Sequence, residues 1–445
     1  MAVFVLDKAG LPLMPCTEKR ARLLLQRGRA RVHRLVPFVI RLVDLQAADC
    51  SFQPLRVKID PGSKHTGLAL VRDAEQTDTA TGKIQRGVHV LNLFELVHRG
   101  HHISEALTAR SAKRGRRRGS LRYRAPRFLN RTQSKGWLPP SLKHRLDTIL
   151  SWINRLQRWA PVTHLSSELV LFDTQALENP EIEGAEYQQG TLAGYEVREY
   201  LLEKWGRQCA YCDIKGVLLQ IEHVHPKARG GSNRISNLAL ACQQCNTAKG
   251  VLPVEVFVTN KKRLQRIQSQ RKRPLKDAAA VNSTRKSLVT ALQATGLPVE
   301  TASGGRTKYN RIRLGIEKTH ALDAVCVGAL EFVENWNKPT LVVKCTGRGS
   351  YQRTRLNKYG FPRGFLMRTK RIKGFATGDL VRAEVPSGKN AGVHVGRAAI
   401  RATGKFNIQT DNEILQGISH RYCTLLQRAD GYGYTQQSNK RKEAG

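Results

Sequence analysis

The chain has 445 residues, with 75 Lys and Arg against 35 Asp and Glu and a formal net charge of +40; its pI is near 10.5. Its 40% hydrophobic content excludes a wholly disordered chain and suffices for roughly two to four domains with sizeable cores. So large a positive excess calls for a polyanionic partner. No run of about 18 apolar residues occurs, and the opening "MAVFVLDKAG" lacks the charged and apolar regions of a secretory leader. The expectation is a soluble intracellular protein that binds nucleic acid and not a membrane.

In chain order, "MAVFVLDKAGLPLMPCTEKRARLLLQRGRARVHR" predicts a short strand, a Pro-bounded turn and a basic helix ended by Gly28. "PLRVKIDPGSKHTGLALV" reads as two strands around a Pro-Gly turn, with Asp60 ending the first. From Arg110 to Arg131, "RSAKRGRRRGSLRYRAPRFLNR" holds ten basic residues and no acidic one. Inside a folded chain this predicts a helix that contacts phosphate through Arg110, Arg114, Arg116, Arg117, Arg118, Arg122, Arg124 and Arg127. Tyr123 and Phe128 are too few for a base-stacking platform. After "LPP", Leu142, Leu146, Ile149, Leu150, Ile153 and Leu156 recur at helical spacing. "VTHLSSELVLFD" follows as a buried strand carrying Glu168, and the acidic "TQALENPEIEGAEY" as a linker. A cysteine module runs to about Leu252. A basic helical region then leads through "GGRTKYNR" to "IEKTHALDAVCVGALEF", read as one helix bearing His320 and Asp323. Beyond Pro339, short alternating runs with Gly turns predict a small β-barrel. There are no internal repeats.

The cysteine module begins "CAYCDIKGVLLQIEHVHPKARGG" at Cys209 and ends with "CQQCNTAKG" from Cys242. A two-Cys, two-His finger needs its histidines three to five residues apart and after the cysteines. His223 and His225 are two apart and lie between two complete CxxC pairs. Cys209, Cys212, Cys242 and Cys245 already close a tetrahedral structural zinc site, which leaves the histidines over. Cys16, Cys50, Cys326, Cys345 and Cys423 are scattered and form no disulfide framework. "GVLLQIEH" and "NLALAC" read as two strands, "PKARGGSNRIS" as a long turn, and "CQQCNTAKG" as a short helix stopped by Gly250. Zinc would hold Glu222, His223 and Asn246 close together. A carboxylate and an amide oxygen are hard ligands suited to Mg²⁺, and a neutral imidazole opposite them can deprotonate water. The plainer alternative is a structural zinc ribbon with Glu222 and His223 on its surface.

A second set of carboxylates is dispersed along the chain. Asp60 alone reads as a turn former. Glu168, however, lies in an apolar strand where a charge is costly, and His320 and Asp323 share a face of an otherwise buried helix. Brought together, they would form a two-metal phosphodiesterase site.

The E-H…N…N set between CxxC pairs resembles the HNH nuclease module. That resemblance implies His223 as general base, Glu222 and Asn246 as ligands of one Mg²⁺, and Asn237 as the residue that orients the site; Glu222 stands where many members have Asp, and His225 has no assigned role. A strand Asp, a later strand Glu and a helical His-x-x-Asp resemble the split RuvC nuclease of RNase H fold, which implies two Mg²⁺ ions at Asp60, Glu168 and Asp323. With "PLMP" at Pro12 to Pro15, the whole order is similar to the IscB family, the transposon-associated relatives of the two-nuclease CRISPR effectors.

The resemblance implies an α/β multidomain fold: a split RNase H-like RuvC domain with an inserted zinc-stabilised ββα-metal HNH domain, an arginine-rich bridge helix and a C-terminal small β-barrel-like domain. The boundaries would be 1–52 for a PLMP domain, 53–100 for RuvC segment I, 101–132 for the bridge helix and 133–190 for RuvC segment II with the linker. The HNH domain would span 191–255, RuvC segment III 256–338, and a domain reading a target-adjacent motif 339–445. It further implies an Mg²⁺-dependent, RNA-guided endodeoxyribonuclease. The HNH site would cut the guide-paired strand and the RuvC site the displaced strand. The partners would be a long structured guide RNA, called ωRNA, and double-stranded target DNA with its adjacent motif. The protein would be monomeric within a ribonucleoprotein in the prokaryotic cytoplasm, at the nucleoid when on DNA. A protein-only resolving nuclease and a non-catalytic RNA-binding protein are the rival readings.

Overall fold

The computed structural model describes residues 1–77, 82–120, 137–169, 201–202, 204–272, 276–347, 354–357, 361–365, 367, 369–410 and 412–438, with the backbone alone for 117–120, 272, 276–283 and 354–356. Arg122, Arg124, Arg127 and the acidic linker lie outside the described residues, as do the side chains of Arg117 and Arg118. No described helix is long and apolar enough to cross a membrane.

Strands β1 (Val3–Leu6), β2 (Pro12–Cys16), β3 (Ala30–Arg34) and β4 (Val39–Leu42) form an N-terminal sheet in the order β2-β1-β4-β3. The "PLMP" stretch is part of β2. Helix α1 (Glu18–Gln26) starts where the Thr17 side chain accepts the Arg20 N–H at 3.3 Å, which satisfies one of the orphan donors of the first turn.

The central sheet is built from β5 (Leu55–Pro61), β6 (His65–Thr77), β7 (Ile84–Val97), β8 (Val162–Glu168), β11 (Val299–Ala302), β12 (Phe332–Glu334), β13 (Thr340–Cys345) and β23 (Tyr432–Gln437), in the order β11-β8-β5-β6-β7-β13-β23, with β12 paired to β7. Strands β5, β6 and β7 are antiparallel, while β8 and β11 run parallel to β5 and β13 runs parallel to β7. Side chains alternate across a strand, and β6 serves two cores accordingly. Leu68 and Leu70 join the core under α3 (Pro140–Trp159) with Trp152 and Leu156. Ala69 and Val71 join the opposite core with Ala321, Leu322 and Val325.

Between β8 and β11 the chain forms a separate module. It contains β9 (Leu219–His223) and β10 (Leu238–Cys242), an antiparallel pair in which Glu222 faces Ala239, followed by α4 (Gln243–Lys249) and α5 (Val254–Phe257). Helix α6 (Lys261–Lys272) belongs to it as well. Ile267 is buried in the module's core, and Arg263 and Arg266 pair with Asp213 at 2.8 and 2.6 Å. The module therefore continues past residue 255. Helices α7 (Lys276–Gln293) and α8 (Gly304–Arg313) return the chain to the sheet.

The expected helix over "IEKTHALDAVCVGALEF" is shorter than its pattern. Helix α9 spans His320–Val325 only. The carbonyls at and just beyond its end are taken by side chains: Lys58 Nζ donates to Val325 O at 3.1 Å and Val327 O at 2.8 Å, and Asn310 Nδ2 donates to Cys326 O and Gly328 O, each at 2.9 Å. A helix end so satisfied has no need of another turn, and Gly328, at φ +88, turns the chain away.

The C-terminal region holds two small hairpins, β14 (Thr354–Leu356) with β15 (Pro362–Phe365) and β16 (Arg371–Ile372) with β17 (Phe375–Ala376). It also holds β18 (Leu380–Val385), β19 (Gly392–Ala399), β20 (Lys405–Gln409), β21 (Ile414–Ser419) and β22 (Cys423–Gln427). These last five form one antiparallel sheet in the order β21-β20-β19-β18-β22 around Val381, Phe406 and Ile408. Among the described residues β21 and β22 are not paired to each other. Strands β13 and β23, which bracket it, belong to the central sheet.

Candidate functional site

Asp60, next to last in β5, lies opposite Gly67 of β6. A Cβ at Gly67 would sit 1.7 Å from the His320 carbonyl oxygen, so the absent side chain is what admits α9 onto the strand. His320 Nδ1 thereby comes within 2.7 Å of Asp60 Oδ2. Glu168, at the end of β8, pairs in register with Ala302; a Cβ at Gly304 would meet its Oε1 at 2.8 Å. Asp323, one turn beyond His320 on α9, is held by Arg311 Nε at 2.9 Å.

Three carboxylates from segments more than 100 residues apart thus converge beside one imidazole. Burial, then the Asp60 charge, pushes the Glu168 carboxyl up to about 8. The same two causes raise Asp323 to about 6 against the pull of Arg311. Burial drags His320 down, but its hydrogen bond to Asp60 and the surrounding carboxylates outweigh that and leave it above the ordinary histidine value. Neighbouring carboxylates that resist joint ionisation are short of positive charge. The set fits a hard divalent cation.

In the cysteine module, the sulfur atoms of Cys209, Cys212, Cys242 and Cys245 lie within 4.8 Å of one another. Four thiols so placed fit a closed structural zinc site. Asn237 braces the turn beside it: its side-chain oxygen accepts from His225 N–H at 2.9 Å, and Nδ2 donates to His225 O and Ser232 O at 3.0 and 2.8 Å. Asn246 Nδ2 donates to Gln220 Oε1 at 2.6 Å. His223 Nε2 lies 2.9 Å from Asn233 Oδ1.

Residues 209–251 match the family model described as HNH endonuclease. The chain therefore carries an HNH endonuclease domain. Residues 3–190 match a second model, described as RRXRR protein. No curated protein matches the chain. Among solved structures, Streptococcus thermophilus Cas9 in complex with the AGAA PAM is 11% identical at a TM-score of 0.23, covering 59% of this chain and 32% of its own. The Type II-C Cas9 enzyme from Actinomyces naeslundii is 14% identical at 0.23, covering 63% and 60%. Thermus thermophilus RuvC is 12% identical at 0.21, covering 61% and 90%. The chain thus spans about a third of the length of the first of these structures.

Within the HNH domain, Glu222 is not free. Its Oε1 accepts from Lys249 Nζ at 2.6 Å, its Oε2 accepts from the Tyr211 hydroxyl, and Lys249 also donates to His223 O at 2.9 Å. Gln220 and Glu222 share the strand face under α4, while His223 alternates to the other. In this placement both Glu222 oxygens already accept hydrogen bonds, and Asn246 turns its amide to Gln220.

Two residues that the sequence reading omits adjoin the carboxylate cluster. His65 stacks on His320 with ring centroids 5.7 Å apart and a 3° interplanar angle, and its Nδ1 lies 2.6 Å from Glu95 Oε1. Glu95 sits in the apolar run "LNLFELV", the same signal that singles out Glu168. Helix α2 (Gly100–Ser120) carries the described part of the arginine block, with Arg110, Arg114 and Arg116 exposed.

Proposed function

We propose that this protein is an RNA-guided DNA endonuclease of the IscB kind, in which the HNH site cuts the strand paired with the guide and the RuvC-like site cuts the displaced strand. The observation that carries the reading is the meeting of Asp60, Glu168, His320 and Asp323 on the chain that also holds a separate HNH domain. A charge of +40 suits a long structured RNA of the ωRNA type together with target DNA. The protein acts as one copy in a cytoplasmic ribonucleoprotein, and the C-terminal sheet reads the target-adjacent motif.

Asp60, Glu168 and Asp323 bind magnesium at the first site, where two ions would stabilise the attacking and leaving oxygens of an in-line displacement. Asp60 fixes the His320 ring through Nδ1, which leaves Nε2 to exchange a proton at the scissile phosphate. His223 takes a proton from the attacking water at the second site. Asn237 keeps its turn in place. Loading Glu222 and Asn246 with magnesium requires Lys249 to release Glu222. Arg110, Arg114 and Arg116, with the rest of the arginine block, grip RNA phosphates.

The test is guided cleavage of a duplex with each strand labelled separately. His223→Ala leaves a nickase of the displaced strand and Asp60→Ala a nickase of the paired strand, each lost activity falling by about a hundredfold or more. RNA-free protein that cuts the same duplex as well overturns guidance. Loss of both cuts from either single substitution, with folding and RNA binding normal, overturns the two-site division.

A further inference from the structure

A third group of metal-ligating side chains lies outside both sites. His98 directly follows β7, His144 sits in the early turns of α3, and Cys345 ends β13. One ligand atom from each lies within 4.8 Å of the other two. We propose that His98, His144 and Cys345 bind one zinc ion, which joins β7, α3 and β13 at the root of the arginine-bearing helix α2.

The state of His98 is the main support. Its Nε2 lies 2.8 Å from Thr66 Oγ1, while its Nδ1 is buried and has no hydrogen-bond partner among the described residues. An imidazole whose outer nitrogen is fixed by a hydroxyl and whose inner nitrogen is bare has the arrangement of a metal-ligating histidine. An unpaired buried nitrogen is otherwise costly. The other two ligands are nearly as free. Among the described residues His144 Nε2 receives a long contact from Arg99 N–H at 3.5 Å, and the Cys345 thiol faces Thr148 Oγ1 at 3.9 Å. The rings of His98 and His144 meet edge-on, 6.4 Å apart.

The surroundings choose among ions. The Arg145 guanidinium lies near His98 and that of Arg99 near His144. The nearby guanidinium groups disfavour a hard cation held by charge alone. Two imidazoles and a thiolate suit zinc, whose affinity comes from directed N and S bonds. On binding, the Cys345 S–H gives its proton to solvent and the sulfur bonds the metal, leaving a fourth position for water. Neither the fold of the HNH domain nor the proposed cleavage enters this inference.

The test is zinc per chain in the full-length protein, by equilibrium dialysis against a fixed free zinc concentration and elemental analysis. Wild type should hold two ions, one of them in the four-cysteine set. Cys345→Ser and His144→Gln should each hold one, and Cys242→Ser should lose the other. Cobalt(II) titration of the metal-free chain supplies a second readout. A four-thiolate spectrum and a weaker one-thiolate spectrum should appear in wild type, and only the first in Cys345→Ser. One zinc per chain in wild type, abolished by Cys242→Ser, overturns the proposal, as does a second ion that survives both Cys345→Ser and His144→Gln. Inorganic phosphate protecting this region while zinc does not would show an anion site instead.

Discussion

Lys249 Nζ lies 2.6 Å from Glu222 Oε1, with the Lys249 side chain fully buried and that of Glu222 only 5% exposed. The pair is closed off from water, so its two charges stand or fall together. Removing one partner of a buried ion pair costs about 3–5 kcal/mol, whereas replacing both by neutral groups can be nearly neutral. Lys249→Met should therefore speed amide hydrogen exchange across β9 and β10 sharply, and adding Glu222→Gln should return most of the protection. Equal exchange in the single and double variants would show that the pair is not coupled.

Gly67→Ala places a methyl group 1.7 Å from the His320 carbonyl oxygen, which is backbone and cannot rotate aside. Helix α9 must move off β6, taking His320 and Asp323 from Asp60. Under the proposed function, cutting of the displaced strand should fall by at least about a hundredfold, while the HNH cut and zinc content stay as they were. Normal displaced-strand cleavage would mean that α9 tolerates the shift.

Asp430 meets Arg155 at 2.8 Å and also pairs with Arg34, and the Tyr434 hydroxyl donates to it. Burial pushes this carboxyl up, but Tyr434 and the two guanidinium groups outweigh that and hold it below the usual aspartate value. A depressed folded-state value means stability that is full above the unfolded value of about 3.9 and is lost as pH falls through the folded one. Asp430→Asn should lower the denaturation midpoint at neutral pH and flatten its decline below about pH 4. Parallel pH curves for the two proteins would rule out Asp430 as a contributor.

Arg110, Arg114 and Arg116 stand exposed on α2. If they grip RNA phosphates, their joint replacement by Ala should lower the slope of log affinity against log salt by about 2–3, at about 0.7–0.9 per contact. Filter binding over a salt series measures it. An unchanged slope would leave the three facing solvent.

Much of this arrangement is legible in the sequence because it depends on short-range pattern. The Pro-Gly turn in "VKIDPGSKHTGLALV" gives the paired strands β5 and β6, the two CxxC pairs give the four-cysteine set, and a charge within "LSSELVLF" gives Glu168. Glu95 obeys the same rule in "LNLFELV", but its meaning appears only when β6 brings His65 beside it. The end of α9 is illegible for a different reason. Its apolar periodicity continues past Val325, and the side chains that take the carbonyls at and beyond its end, Lys58 and Asn310, come from other elements. Glu222 reads as a metal ligand from its neighbours in sequence, whereas its partner Lys249 lies 27 residues on, in a helix read for its cysteine. Partners at such separation are set by packing, which local pattern does not record.

Cys345 and Tyr432, the last residue of β13 and the first of β23, are register partners in the central sheet. The intervening chain leaves and re-enters through a narrow doorway, where Thr346 and Gly347 N–H both donate to Gly431 O, and among the described residues it also meets the N-terminal region at Gln427, which accepts from Leu35 and Val36 N–H. Antiparallel neighbours need only a two-residue loop to be joined. The intervening sheet is thus a cassette: excising residues 348–429 and closing Gly347 onto Asp430 with Asn-Gly should leave the eight strands paired and the Arg155–Asp430 contact in place. Other small domains whose ends lie side by side could be installed through the same doorway, so the choice of what is displayed there is separable from the architecture that carries it.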